Sequence, residues 1–100
     1  KILQYIMNES LEVNIINNTG HINIVTENEI AGKIEFNLSV SGIIEICHTE
    51  VNSKFSGRGY GKLLVNKVVD YARDKGLKIV PTCNFSRRIL EKNAEFKDIL

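Results

Sequence analysis

Five residues, Gly57-Arg58-Gly59-Tyr60-Gly61, divide this chain into halves with different hydrophobic periods. Before them, apolar and polar residues alternate, the mark of half-buried strands. Leu11, Val13 and Ile15 alternate with Glu12 and Asn14, and Ile22 and Ile24 carry the pattern through residues 21–26. In residues 30–40, Ile34, Phe36 and Leu38 share one face and Lys33, Glu35 and Asn37 the other. Asn17-Asn18-Thr19-Gly20 and Ser41-Gly42 have turn chemistry, because Asn and Gly tolerate positive φ. Residues 43–51 are β-branched and apolar, which predicts a central strand. The first ten residues are either an edge strand or an arm.

Beyond the glycines the period lengthens. Leu64, Val65, Val68, Val69 and Ala72 form a 3.6-residue stripe, and Gly76 stands where a helix would stop. Residues 77–83 read as a short strand. Its Pro81 has no N–H to donate, so pairing is interrupted there. Asn84 or Ser86 can cap a last helix running to about residue 93, with Phe85, Ile89 and Leu90 inward. The order β-β-β-β-loop-α-β-α describes one α+β domain over residues 1–100.

A chain of 100 residues with 43% hydrophobic and 25% charged residues can form one core but not two. No apolar run approaches the length of a membrane span. Cys47 and Cys83 form neither a disulfide framework nor a metal motif, and without a secretion signal they are expected to be reduced thiols in a cytoplasm. The net charge of +1 hides an asymmetry: residues 1–52 carry two basic and seven acidic groups, residues 53–100 eleven basic and five acidic. Such a basic half suits a local anionic ligand, or reflects charge spread over solvated faces.

The glycine run between a strand and a helix lets backbone N–H groups converge, and the helix start adds positive partial charge. Arg58 and Lys62 can add charge-assisted bonds. A phosphate or pyrophosphate suits such a site; a flexible turn is the plainer alternative. It is not a Walker A loop, because Leu63 follows Gly61-Lys62 and gives magnesium no hydroxyl. Nor can the chain hold the βαβ units of a dinucleotide fold.

An ordered set of motifs surrounds this loop. His48-Thr49-Glu50-Val51 precedes it, and Leu64 and Ala72-Arg73 follow in the helix. Pro81-x-Cys83-x-Phe85 and Glu95-Phe96-x-Asp98 come later. Over about residues 11–100 this set resembles the minimal, roughly 100-residue GNAT-type N-acetyltransferases. The resemblance implies a mixed, mostly antiparallel sheet with two helices and an acetyl-CoA site. It implies that the loop backbone, Ser56 to Lys62, wraps the pyrophosphate of CoA. The strands ending at Val51 and Cys83 would splay around pantetheine, with Val51 along it and Asn84 and Phe85 at its thiol end. Two departures stand out. Ser56 occupies a position where the superfamily commonly has Arg or Gln. There is also no room for the helical segment that larger relatives insert after their first strand, so the acceptor side should be open.

Acetyl transfer requires a neutral amine. A lysine amine with a pKa near 10.4 is neutral only about once in 2,500 molecules at pH 7, so a base is needed. His48 and Glu50 project from the same face of one strand and are the candidates; otherwise His48 is a core histidine and Glu50 a solvated strand end. Cys83 either takes the acetyl group as a nucleophile or lines the pocket. Cys47 reads as core, and Tyr60 as a loop aromatic over the helix end. Arg87 and Arg88 either meet the phosphates or coat a helix.

These readings point to an acetyl-CoA-dependent N-acetyltransferase with an unknown amine acceptor. The alternative is a CoA or acyl-CoA binding module without efficient catalysis. A nucleic-acid or protein-interaction domain is disfavoured, because basic clusters and aromatics to stack bases are few.

Overall fold

In a computed structural model, which describes residues 9–39 and 41–100, the alternating half forms a meander. Strands β1 (Ser10–Ile16), β2 (Thr19–Thr26), β3 (Glu29–Leu38) and β4 (Ile43–Val51) pair antiparallel in sequence order. A 3-10 turn, Ser53–Phe55, leads to helix α1 (Tyr60–Lys75). Strand β5 (Lys78–Pro81) then adds parallel to β4, and helix α2 (Asn84–Lys92) and a 3-10 turn, Ala94–Ile99, complete the chain. The expected order is therefore present. Of the first ten residues, read as an edge strand or an arm, 1–8 lie outside the described residues; Ser10 opens edge strand β1. No helix among the described residues is long and apolar enough to cross a membrane.

Both helices pack on one face of the sheet. Ile22, Ile24, Ile34, Phe36, Ile44, Ile46 and Ile79 meet Leu64, Val65, Val68, Val69 and Ala72 of α1 and Leu90 of α2. Helix α1 ends as the sequence suggests: Gly76 takes φ +71°, and Leu77 N–H donates to the carbonyl of Ala72. The turns differ in one respect. Asn17 supplies the positive φ of the first hairpin, whereas Gly20 lies inside β2. A Cβ on Gly20 would stand 2.6 Å from the Phe36 ring, so this glycine makes room for an aromatic and not for a turn.

The structure also corrects the core. Phe55, in a segment read as plain loop, is buried, and so are Phe96 and Ile99 in the last turn. Arg73 fastens that turn, donating to Asp98 at 2.7 Å and to the carbonyl of Glu95. Cys47, read as core, is exposed, because it is the extra residue of a bulge: Ile46 pairs with Phe36 and His48 with Glu35. The bulge shifts the alternation, so Ile44 and Ile46 point inward, Cys47 and His48 outward, and Thr49 inward again. Phe85, expected inward on α2, is more than one-third exposed and lies against Gly61.

Candidate functional site

Strands β4 and β5 stay paired only as far as Ile46 and Pro81. There the N–H groups of Thr82 and Cys83 both converge on the carbonyl of Ile46, at 3.1 and 3.2 Å. Beyond this point β4 runs on to Val51 while the other chain turns into α2. The interruption expected at Pro81 is thus a real divergence of the two strands, and among the described residues it leaves the β5-side edge of residues 47–51 without a strand partner.

The glycine loop stands beside this opening. Gly57 and Gly59 take φ of +81° and +79°, which L-residues adopt poorly, and apart from their chain neighbours no atom of the described residues lies within 4 Å of where their Cβ atoms would be. Gly59 is the N-cap of α1 and offers no side chain to the helix end. The first-turn N–H groups therefore have no intrahelical acceptor and no side-chain cap. Lys62 is exposed in that turn. Gly61 serves another purpose: any side chain there would meet the ring of Phe85, so the glycine lets α2 approach α1 closely.

Three loop residues sit differently from their sequence reading. Tyr60 is no loop aromatic but a buried core residue at the first position of α1, its hydroxyl donating to Glu9. Ser56 donates its N–H to the carbonyl of Ser53 at 3.2 Å, so its hydroxyl is the donor that remains for a ligand. Arg58 lies 4.9 Å over the Phe55 ring and 3.7 Å from Glu27, which anchors it toward the β2–β3 turn.

Cys83 is the N-cap of α2, a place the sequence suggested for Asn84 or Ser86. Asn84 is instead the first helical residue, and exposed. Burial alone would raise the Cys83 pKa. The N–H groups of Ser86 and Phe85 and the hydroxyls of Thr49 and Ser86 outweigh it and bring the thiol below its ordinary value. Thr49 Oγ1 is buried and has no regular hydrogen-bond partner among the described residues, although it lies near enough to favour the thiolate. It is an orphaned polar atom beside the opening. Arg87 is held by the carbonyl of Pro81, at 3.1 and 3.3 Å, and braces the corner.

His48 and Glu50 share the outer face of β4, as two-residue spacing predicts. His48 Nε2 lies 2.7 Å from Glu50 Oε1, with 49% and 60% of the side chains exposed. His48 is not a core histidine. Its hydrogen bond to Glu50 raises its pKa, and the same bond lowers that of Glu50. Glu35, across the ladder, and Cys83 add to the rise. Among the described residues the site thus combines first-turn N–H groups without an intrahelical acceptor, a divergence of two strands, a thiol of lowered pKa and an imidazole–carboxylate pair.

A two-stranded divergence beside a glycine-opened helix start defines a class. The profile of the GCN5-related N-acetyl-transferase family matches residues 21–99. The chain belongs to that family. Among solved structures, a GCN5-like protein from Staphylococcus aureus is 33% identical, with 93% of this chain and 88% of that one covered, at a TM-score of 0.68. The ribosomal-protein-alanine N-acetyltransferase of Brucella melitensis shares the fold at 19% identity and a TM-score of 0.64, over 79% of this chain and 63% of its own length. A Bacillus anthracis protein in complex with acetyl coenzyme A shares it at 15% identity and a TM-score of 0.61, covering 82% of this chain and 69% of that one. No curated protein matches the sequence.

Proposed function

We propose that this protein moves an acetyl group from acetyl-CoA to an amine. The observation that carries the reading is the divergence of β4 and β5 after Ile46, directly beside the uncapped start of α1. The residues present fit the coenzyme. First-turn N–H groups of the loop, residues 57–62, suit a pyrophosphate, with Lys62 and the Ser56 hydroxyl beside them. The free edge of β4 near Val51 offers backbone partners to a pantetheine amide, and the orphaned Thr49 hydroxyl gives a further polar partner. Asn84 and Phe85 open α2 where it flanks the slot, the Phe85 ring against Gly61. When bound, acetyl-CoA supplies an activated acyl group.

The chain's own groups then divide the work. His48 accepts the proton of the incoming amine, and Glu50 orients the imidazole and stabilises its charged form. A raised His48 pKa narrows the gap to an amine's own pKa, which makes the transfer less uphill. Cys83, at the thiol end, takes one of two roles. As a nucleophile its thiolate would accept the acetyl group from the thioester, releasing the CoA thiol, and would pass it to the amine, which restores the free cysteine. As a pocket residue it shapes the slot only. Intact-mass analysis after incubation with acetyl-CoA separates these: one added acetyl group, absent from Cys83→Ala, marks the covalent role.

Transfer itself is tested by following release of the CoA thiol in the presence of a panel of primary amines, with the acetylated amine confirmed by mass. Product formation that falls in His48→Ala supports the reading. Tight acetyl-CoA binding without product from any amine would make the protein a CoA-binding module instead.

A further inference from the structure

Strand β1 is a sheet edge without the features that keep edges from pairing. It has seven residues, all exposed, with neither a proline nor a basic side chain, and its register against β2 runs without a shift. The other edge of the sheet contrasts with it: β5 has four residues, and Lys78 and Pro81 are among them. Among the described residues no strand pairs with the outer side of β1.

The directions of the β1 groups follow from its hairpin. The turn closes on Ile16 opposite Thr19, so Ile16, Asn14, Glu12 and Ser10 exchange hydrogen bonds with β2. The N–H and C=O groups of Leu11, Val13 and Ile15 therefore point outward. Their side chains lie on the helix side of the sheet, in register with Ile24, Ile22 and Gly20, which are buried. Helix α1 packs over β2, β3 and β4, and the row Leu11, Val13, Ile15 stays 36, 57 and 37% exposed. The same three residues thus present main-chain partners at the edge and an apolar row beside it.

A second copy of the chain matches this edge. The strand reads Ser-Leu-Glu-Val-Asn-Ile-Ile, nearly symmetric about Val13. Laid antiparallel on itself with Val13 opposite Val13, it sets Leu11 against Ile15 and Glu12 against Asn14. Outward-pointing groups then meet outward-pointing groups, about six hydrogen bonds in all. A slip of one residue would oppose them to groups already bonded to β2. A slip of two either sets Glu12 against Glu12 or shortens the overlap. Charge agrees with the central register, because each carboxylate faces an amide of the other copy and not its own kind.

We propose that β1 is a homodimer interface, through which two copies join antiparallel about Val13 into one continuous sheet. The two-fold axis passes through the sheet, so the helices of both copies lie on one side and the two apolar rows lie together between the α1 helices. The opening between β4 and β5 is at the far side of each copy, so the interface does not rest on the acetyl-transfer reading.

Sedimentation equilibrium of the full chain up to about 1 mM should show monomer and dimer. One strand pair is a small interface, and a dissociation constant of about 100 μM is expected. Val13→Lys and Val13→Glu each set like charges against one another across the axis and should weaken association about tenfold. Both should keep the fold, checked by circular dichroism, because the Val13 side chain is largely exposed. Mixed in equal amounts, with one of them isotope-labelled, the two variants should pair with each other, which native mass spectrometry reads. A wild-type chain that stays monomeric at about 1 mM overturns the proposal, and is the result expected if residues 1–8 cover the edge within one copy. Dimerisation unchanged in both charged variants overturns it also. Charged variants that fail to pair with each other, while the wild type dimerises, overturn the register about Val13.

Discussion

Cys83 and Cys47 lie on either side of one hydrogen-bonded corner, where Cys83 N–H donates to the carbonyl of Ile46, yet their thiols differ in acidity. Cys83 sits at a helix start among N–H and hydroxyl donors, which overcome its burial and lower its pKa. Cys47 is raised, by burial first and then by Glu45 and Glu35. At pH 7.5 iodoacetamide should therefore label Cys83 faster than Cys47, although Cys47 is the more exposed, and saturating CoA should slow only Cys83. Peptide mass mapping reads both rates; faster labelling of Cys47 would contradict the assignment. His48 yields a second prediction. A base must be neutral to accept a proton, so activity should rise with pH through the His48 pKa, which the Glu50 bond holds above the usual 6.5 or so. Glu50→Gln should move that inflection toward lower pH, in the rate profile and in the His48 ring titration alike. An unmoved inflection would assign the base elsewhere. The shared face of His48 and Glu50 was legible from their spacing. The exposure of Cys47 was not, because a bulge leaves no mark in a β-branched stretch: the alternation simply slips by one residue between Ile46 and Thr49.

At the scale of elements, the three loop glycines answer to different needs. Gly59 needs positive φ, and a β-branched residue there costs a few kcal/mol at most in backbone strain. Gly59→Val should keep the fold and abolish CoA binding, since the branched side chain also blocks approach to the helix start. Circular dichroism and calorimetry together check this; unchanged affinity in a folded variant would displace the pyrophosphate from the loop. Gly61 instead admits Phe85. Gly61→Ala should push the ring aside and destabilise the protein by about 1–3 kcal/mol, as overpacking does, and Phe85→Ala in the same chain should recover much of the loss. Chemical denaturation of the four proteins measures the coupling, and additive losses would mean the two residues do not meet. Strand and helix periods announced β1 to β4 and α1, and Pro81 announced the end of pairing. The contact between Gly61 and Phe85 joins residues 24 positions apart, and no local pattern encodes it. For the same reason Phe85 read as an inward residue of α2.

On the scale of the whole molecule, the last turn belongs to the core. Phe96 is buried against a cluster that reaches from β2 to α2, and Arg73 ties Asp98 to α1. Phe96→Ala should cost about 3–5 kcal/mol in urea denaturation, and a loss below about 1 kcal/mol would mean the turn is an appendage. The sequence showed Phe96 among charged neighbours there, Glu95, Lys97 and Asp98, too little to predict burial; Phe55, alone in the loop before the glycines, was hidden in the same way. The two halves of the chain meet at the site. In the proposed site the acidic meander would supply His48 and Glu50, and the basic half the glycine loop, Lys62 and Cys83. The account stands on acetyl-CoA entering between β4 and β5, and calorimetric titration of acetyl-CoA tests this most directly. The wild-type protein should bind one equivalent, and at a hundredfold excess over the dissociation constant should gain about 2.7 kcal/mol of stability. Gly59→Val should show neither effect. An absence of heat and of thermal stabilisation with millimolar acetyl-CoA, in a folded wild-type protein, would contradict the account at its centre.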